Sequence, residues 1–220
     1  MSGCGGIRVR LARGIEHAQT SHQAFVALVI EAVQRAGLPV ACSGGPRPRV
    51  KVTPGLQLPL GYTSRCEYLD FALAQPCTGR AFASALAEQL PPGLRLLWAG
   101  RIPAHTPHPR ANIVACWYTL YGAFDPERAH AFRAAPRWPH AREKKGKRIE
   151  LDLKMHVDRI DVYSDCTLLK VRIGAGPQVK PAEVIESVFG LPEGDALRVP
   201  VERTALIMPP APFPRSFLVE

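Results

Sequence analysis

The element order strand, helix, strand, strand, helix, strand occurs twice along this chain of 220 residues. The predicted strands alternate apolar and polar side chains, and a segment rich in proline and histidine, Pro103–Asn112, separates the two halves. Alternation indicates strands with one buried face, and this order is typical of the split βαβ arrangement. The sequence therefore predicts an α+β fold of two tandem ferredoxin-like (split βαβ) modules with antiparallel sheets, over residues 1–104 and 105–220. The alternative is one mixed α+β domain.

The first module opens with a strand at Ile7–Leu11, where every second residue is apolar. A helix is predicted to begin at Thr20, because Thr20-Ser21-His22-Gln23 has capping-box spacing, and to end at Gly37. An extended run follows at Arg49–Leu60, interrupted by Pro54-Gly55. After it come a strand, a helix and a last strand: Cys66–Leu73, Gly79–Leu90 and Leu94–Ile102.

The second module contains the basic segment of the chain and a proline-rich tail. Its helices are predicted from Asp125 into the basic segment and from Pro181 to Gly190. Its strands are predicted over four ranges: Ile113–Phe124, Ile149–Val157, Leu168–Ile173 and Leu197–Met208. In the second of these, alternation places Met155 inward and His156 outward. The tail Pro209–Pro214 is predicted to lie extended on the surface.

Charge is the strongest compositional signal. The chain has 28 basic and 19 acidic residues, a formal charge of +9, and ordinary globular hydrophobic (46%) and charged (21%) fractions. The window from Arg128 to Arg148 alone carries a net charge of +7. Such an excess favours a polyanionic partner such as RNA.

The sequence offers no signal for a membrane or for a metal. No apolar run is long enough to span a bilayer, and the N-terminus lacks the apolar segment of a signal peptide, so we expect a cytoplasmic protein without a membrane partner. The six cysteines form no Cys-x-x-Cys pair. We therefore expect free thiols, no metal site and no cofactor.

A glycine-rich turn followed by alternating cations is the first candidate anion site. Its residues are Ser43, Gly44, Gly45, Arg47, Arg49 and Lys51. Two glycines allow unusual backbone angles, and guanidinium groups suit a phosphate. The turn lacks the spacing of a P-loop, and a tight loop with a solvated basic edge is the alternative interpretation.

The basic segment Arg133–Arg148 is the second candidate. Its densest part supplies five predicted anion or RNA contacts: Arg142, Lys144, Lys145, Lys147 and Arg148. Such a run is either a solvated loop or a surface that tracks phosphates. Nearby Trp138 and His140 either stack on bases or pack against the protein.

No complete catalytic set is present, and His22 is the single candidate for an acid or base. Its alternative role is a hydrogen-bonded histidine at a helix start. Tyr68 and Asp70 face away from the predicted helices, but an acidic residue opposes nucleic acid there, so that face is not a predicted site. Asp152 and Arg203 lie on predicted strands and are interpreted either as a buried structural ion pair or as a functional pair, of which the structural one is preferred.

Several short motifs resemble, in their order, a known family. They are Ser21-His22, Arg35-Ala36-Gly37-Leu38-Pro39, Ser43-Gly44, Leu58-Pro59-Leu60-Gly61, Glu67-Tyr68-Leu69-Asp70, Leu90-Pro91-Pro92-Gly93, Lys145-Gly146-Lys147, Lys180-Pro181-Ala182-Glu183-Val184 and Arg203-Thr204. This combination resembles the radical-SAM-linked domain of unknown function. The resemblance implies a protein encoded beside, or fused to, a radical SAM protein, which would be its partner.

Two functions from different classes follow. The first is a non-catalytic accessory protein that presents a substrate, RNA, to a radical SAM enzyme through the two basic segments. The alternative is a metal-independent RNA endonuclease of the tandem ferredoxin-like type that uses His22. The first interpretation is preferred because the chain has no self-sufficient catalytic set.

Overall fold

The structure is a computed structural model that describes residues 5–103, 106–111, 113–144, 146–174 and 176–208, without the side chain of Lys144. The predicted module boundary between residues 104 and 105 lies outside this range. So do Lys145 and the predicted tail Pro209–Pro214.

The described part of the first half contains four strands, two helices and a short 3-10 turn at Ile15–His17. The strands and helices in chain order are β1 (Gly6–Arg13), α1 (His22–Arg35), β2 (Val52–Pro54), β3 (Thr63–Ala72), α2 (Gly79–Gln89) and β4 (Leu94–Ile102).

The second half repeats this order with a hairpin inserted after its first helix. Its elements are β5 (Ala115–Tyr121), α3 (Pro126–Ala134), β6 (Pro139–Lys144), β7 (Lys147–Asp152), α4 (Leu153–His156), β8 (Val157–Val162), β9 (Cys166–Arg172), α5 (Pro181–Phe189), α6 (Glu193–Ala196) and β10 (Val201–Ile207). Strands β6 and β7 form a separate two-stranded sheet.

The other strands form one sheet that crosses both halves. Its order is β4-β1-β3-β10-β5-β9-β8, with β2 also paired to β3. All of these pairs are antiparallel except β3–β10, where Thr63 faces Glu202 and Ser64 faces Arg203. The fold is therefore mixed α+β with a mostly antiparallel sheet, as the sequence predicts at that level.

Two clusters of buried apolar side chains cover this sheet. One lies within the first half and joins Val9 and Phe71 to Phe25 of α1 and Phe82 of α2. The other fills the second half but also includes Leu56, Leu58 and Tyr62 from the segment before β3. The first half thus contributes apolar side chains to the second cluster, and the division into two modules stays a prediction.

One local prediction in the first half is wrong, and another is narrowed. Helix α1 is capped by Ser21 rather than Thr20, since the Ser21 hydroxyl accepts from the Ala24 N–H at 3.2 Å. The run Arg49–Leu60, predicted to be extended and interrupted at Pro54-Gly55, forms a strand at Val52–Pro54. After Pro54 the chain leaves the sheet, because its apolar residues pack into the second cluster.

The helix predicted from Asp125 into the basic segment is present as α3 and ends at Ala134. Of the later cations, Arg142, Lys147 and Arg148 lie on the hairpin β6–β7, whereas Arg137 precedes it. The predicted strand Ile149–Val157 is interrupted by α4, whose first turn Asp152 caps by accepting from the Lys154 N–H at 3.1 Å. This turn shifts the alternation, so Met155 is exposed and His156 is buried.

Candidate anion-binding site

The glycine-rich turn is closed at its base by backbone hydrogen bonds. The Ser43 N–H donates to the Arg49 carbonyl at 2.8 Å, and the Arg49 N–H donates to the Ser43 hydroxyl at 3.0 Å. Gly45 adopts φ +104°, which disfavours a side chain, yet nothing lies within 4 Å of a Cβ placed at Gly44 or Gly45. The glycines therefore serve the turn itself, and their backbone remains open to a ligand.

The three cations of this turn have no partner in the part of the chain that the structure describes. Arg47, Arg49 and Lys51 are exposed, and no hydrogen bond or ion pair to their side chains is present among the described residues. Because no carboxylate neutralises them, their charge is available to an anion in solution.

The hairpin β6–β7 differs, because carboxylates neutralise two of the three cations whose side chains the structure describes there. The Arg142 guanidinium donates to Glu183 of α5 at 2.5 Å and to the Gln178 carbonyl at 3.1 Å. Arg148 lies 3.3 Å from Glu150, and Arg137 lies 3.2 Å from Asp152. Lys147 is exposed without a described partner, whereas the side chains of Lys144 and Lys145 lie outside the described residues.

An open groove of about 400 Å³ runs along this hairpin. Its charged lining consists of Arg137 and Arg148 with Glu150 and Asp152. Hydrogen bonds from the Trp138 and Lys154 N–H groups and from Arg137 lower the pKa of Asp152, which therefore stays ionised. A groove lined by both signs of charge is a weaker anion site than the glycine-rich turn.

Trp138 packs against the protein and is not available for base stacking. Its indole N–H donates to the Ser187 hydroxyl at 3.0 Å. Its ring meets Phe132 at a centroid distance of 5.4 Å. The sequence allowed two roles for Trp138, base stacking and packing against the protein, and the structure shows packing.

A cluster of buried charges lies where β1, β3 and β10 meet. Arg203, which is 0% exposed, donates to Glu67 at 2.5 Å and to the Leu56 carbonyl at 2.9 Å. Burial lowers the pKa of Arg203, but electrostatic interactions with Glu67 and, to a smaller extent, with Tyr118, Cys66 and Cys116 together raise it above its ordinary value. Asp152 is therefore not the partner of Arg203, and the ion pair interpreted from the sequence is replaced by Arg203–Glu67.

Arg13 is the second buried cation of this cluster. Its guanidinium donates to the carbonyls of His17 and Thr20 and lies 5.5 Å from the centroid of the Phe25 ring. Sequence reasoning missed Arg13 and Glu67. Arg13 continues the inward alternation of Ile7–Leu11, which was the available signal.

His22 is the first residue of α1 and lies beside this cluster. Its buried Nδ1 has no hydrogen-bond partner among the described residues. Burial lowers the pKa of His22 below its ordinary 6.5, and the charges of Arg203 and Arg13 add to this while Glu67 opposes it. The imidazole is therefore neutral at pH 7.

Among the described residues, neither a reactive thiol nor a cluster of metal ligands provides a second candidate site. Burial raises the pKa of Cys66 to about 11 and that of Cys116 to about 12, which keeps both thiols protonated. The described ranges contain no group of three or more His, Cys, Asp or Glu side chains placed to hold a metal ion. Within the same ranges, no helix is both long and apolar enough to cross a membrane.

Together these features define a mixed α+β protein with a mostly antiparallel sheet and an exposed, unpaired basic turn. The chain belongs to the DUF2344 family, described as an uncharacterized protein conserved in bacteria, whose family model matches residues 7–181. This confirms the prediction of a domain of unknown function. The link to a radical SAM protein and the cytoplasmic location stay predictions.

No curated protein matches the chain. Among solved structures, the crystal structure of a Cbf5–Nop10–Gar1 complex is similar over 93% of this chain and 49% of that chain. The sequence identity is 14% and the TM-score is 0.39. The chain thus spans about half the length of that structure's chain.

Proposed function

We propose that this chain is a non-catalytic accessory protein that binds RNA through its glycine-rich turn. The observation that supports this proposal is the set of three exposed cations, Arg47, Arg49 and Lys51, without a neutralising partner among the described residues. Their phosphate contacts would release counterions and give an affinity that falls with salt. The open backbone at Gly44 and Gly45 leaves room for a phosphate next to them.

Binding of a tRNA fragment by charge-matched variants tests this proposal. We expect Arg47, Arg49 and Lys51 changed together to Ala to weaken binding by about tenfold or more at physiological salt. The control changes Arg35, Arg159 and Arg198 to Ala, which removes the same charge from exposed arginines that are ion-paired with Glu31, Asp161 and Asp195. Equal loss in both variants would reduce the proposal to a net-charge effect, and no binding by the wild type would reject it.

A radical SAM protein is the proposed partner to which RNA is presented. The family resemblance of the sequence supports this part. We expect a radical SAM protein to co-purify with the native chain and to remain bound after nuclease treatment. Recovery of RNA without such a protein would reject the partnership and leave RNA binding standing.

The matching strand orders of the two halves support the finer fold assignment of two tandem ferredoxin-like modules. Each half has an equivalent antiparallel order, β4-β1-β3-β2 in the first and β10-β5-β9-β8 in the second. The hairpin β6–β7 would then be an insertion in the second module. Native-state hydrogen exchange should show two units that open separately, and a single cooperative opening would contradict the assignment.

A metal-independent RNA endonuclease that uses His22 is the second candidate. The lowered pKa of His22 favours it, because a neutral imidazole at pH 7 can accept a proton. Incubation of the purified protein with small RNAs tests it. Cleavage that disappears in His22→Ala would support the endonuclease, whereas cleavage that survives this change would reject it.

A further inference from the structure

The sheet face opposite α1 and α2 carries a row of three side chains. Arg10 of β1 is the direct cross-strand neighbour of Tyr68 on β3 and of Trp98 on β4. The adjacent residue Val9 points the other way, into the first apolar cluster. Trp98, Arg10 and Tyr68 therefore lie side by side on one face of the sheet, where Tyr68 is half-buried against the second apolar cluster.

Trp98 leaves a large part of its indole in solvent. The side chain is 47% exposed. A Cβ at Gly100 would lie only 2.2 Å from Cζ2 of Trp98, so the ring can lie over the backbone there because Gly100 has no side chain. The indole has no ring contact and no hydrogen bond to the rest of the described chain.

In the second half, the ring of Trp117 is covered by a lysine of the same chain. Lys170 lies 5.9 Å from the ring centroid of Trp117, and its ammonium also pairs with Asp158 at 2.6 Å. A cation of the chain itself thus covers Trp117. The two tryptophans form a matched pair, one covered and one open.

The charges around Trp98 favour an anionic ligand. Arg10 is exposed and has no hydrogen-bond or ion-pair partner in the described ranges. Asp70, the acidic residue of this face, is neutralised by two hydrogen bonds from Arg8 at 2.7 and 2.8 Å. The repulsion that the sequence suggested for this face is therefore largely cancelled.

The same face continues toward the glycine-rich turn. Thr53 of β2 pairs with Asp70, and Lys51 falls on the same side by the two-residue period of an extended chain. The Lys51 carbonyl accepts from the Ala72 N–H at 3.1 Å, which holds this residue against β3. Trp98 of β4, Arg10 of β1 and Lys51 next to β3 thus lie on one face. Between Arg10 and Lys51 lies the Arg8–Asp70 pair, whose Arg8 also donates to the Pro107 carbonyl at 3.0 Å.

We propose that Trp98 and Arg10 bind one nucleotide of single-stranded RNA, with its base stacked on the indole and its phosphate at the guanidinium. This inference rests on the proposed RNA-binding function and names the part of the RNA that the sheet recognises. Base–aromatic stacking contributes strongly and accepts any base, and guanidinium–phosphate contacts are charge-assisted. The ligand is therefore a single strand of little sequence preference.

Binding of a short uridine oligonucleotide to the full chain tests this assignment. We expect Trp98→Ala to weaken binding by about tenfold or more, and Trp98→Phe to retain most of the affinity, because stacking needs an aromatic ring. Arg10→Ala should flatten the dependence of log K on log salt by about 0.7, the value of one phosphate contact on a single strand. Trp117→Phe is the matched control and should change neither quantity.

Tryptophan fluorescence gives a second readout. A base stacked on Trp98 should quench the emission of the wild type, and this quenching should disappear in Trp98→Phe while binding persists. If Trp98→Ala binds RNA as tightly as the wild type, and RNA still quenches the emission of its remaining tryptophans to the same extent, the nucleotide site at Trp98 is overturned. RNA binding by the chain then stands. If the wild type binds no RNA at any salt, both proposals fail.

Discussion

Two regions of the protein use positive charge in opposite ways. Buried arginines lie where β1, β3 and β10 come together, and exposed cations lie in the glycine-rich turn. Arg203 is enclosed, and it bonds Glu67 and two carbonyls of the segment before β3. Arg47 and Arg49 are exposed and have no described partner. A buried cation with partners holds the fold together, whereas an unpaired exposed cation is free to bind an external anion.

The largest expected effect is loss of stability in Arg203→Met. Removing one member of a buried ion pair leaves Glu67 charged and unpaired, and such changes cost about 3–5 kcal/mol. Urea unfolding followed by circular dichroism measures this cost. The double variant Arg203→Met, Glu67→Leu should recover part of the lost free energy of unfolding, because it removes the unpaired carboxylate. A cost below about 1 kcal/mol for the single change would mean that the pair does not hold the two halves together.

Arg142 is intermediate in burial between Arg203 and the exposed cations of the glycine-rich turn, so its substitution refines the comparison. Its ion pair with Glu183 is mostly shielded, with side-chain exposures of 17% and 12%. We expect Arg142→Ala to lower the free energy of unfolding by about 2 kcal/mol, since a charged hydrogen bond is lost and Glu183 is left without this partner. Arg148→Ala, on the same hairpin but exposed, should change it by less than about 0.5 kcal/mol. Similar values for both would indicate that the hairpin is not held against α5 by Arg142.

A smaller effect on the free energy of unfolding is expected from the protonation of His22 as the pH falls. The unfolded chain takes up a proton at His22 near pH 6.5, above the lowered pKa of the folded state. The unfolded state therefore binds more protons between these two values, and the free energy of unfolding falls as the pH decreases through this window. In His22→Gln this part of the pH dependence should vanish. Unfolding curves of both proteins from about pH 7.5 to about pH 5 measure it, and parallel pH profiles would contradict the lowered pKa.

Local patterns in the sequence were sufficient for much of the fold. Strand β4 has the bounds that the sequence predicts, Leu94–Ile102, because a Pro-Pro-Gly stop precedes its apolar run. The buried stripe of α5 is likewise as predicted, from Val184 to Phe189, with Gly190 in the left-handed conformation. Periodicity and end signals are local properties, so a single sequence reveals them.

Partner choice between distant residues was not predictable. Arg203 and Glu67 are separated by 136 positions, and nothing local indicates that they meet. The hairpin β6–β7 was missed because its alternation is obscured by consecutive cations. Helix α4 was missed because apolar residues continue to alternate in the sequence from Ile149 to Val157, straight through it. Among the candidate site residues, the sequence identified the cations but not which of them would find a carboxylate.

The salt dependence of RNA binding is the most direct test of the central claim that unpaired cations in the glycine-rich turn bind RNA. For the wild type, log K should fall linearly with log salt. Changing Arg47, Arg49 and Lys51 to Ala should reduce that slope by about 2, whereas the control with Arg35, Arg159 and Arg198 changed to Ala should keep the wild-type slope. Coincident slopes for the wild type and the turn variant would contradict the account.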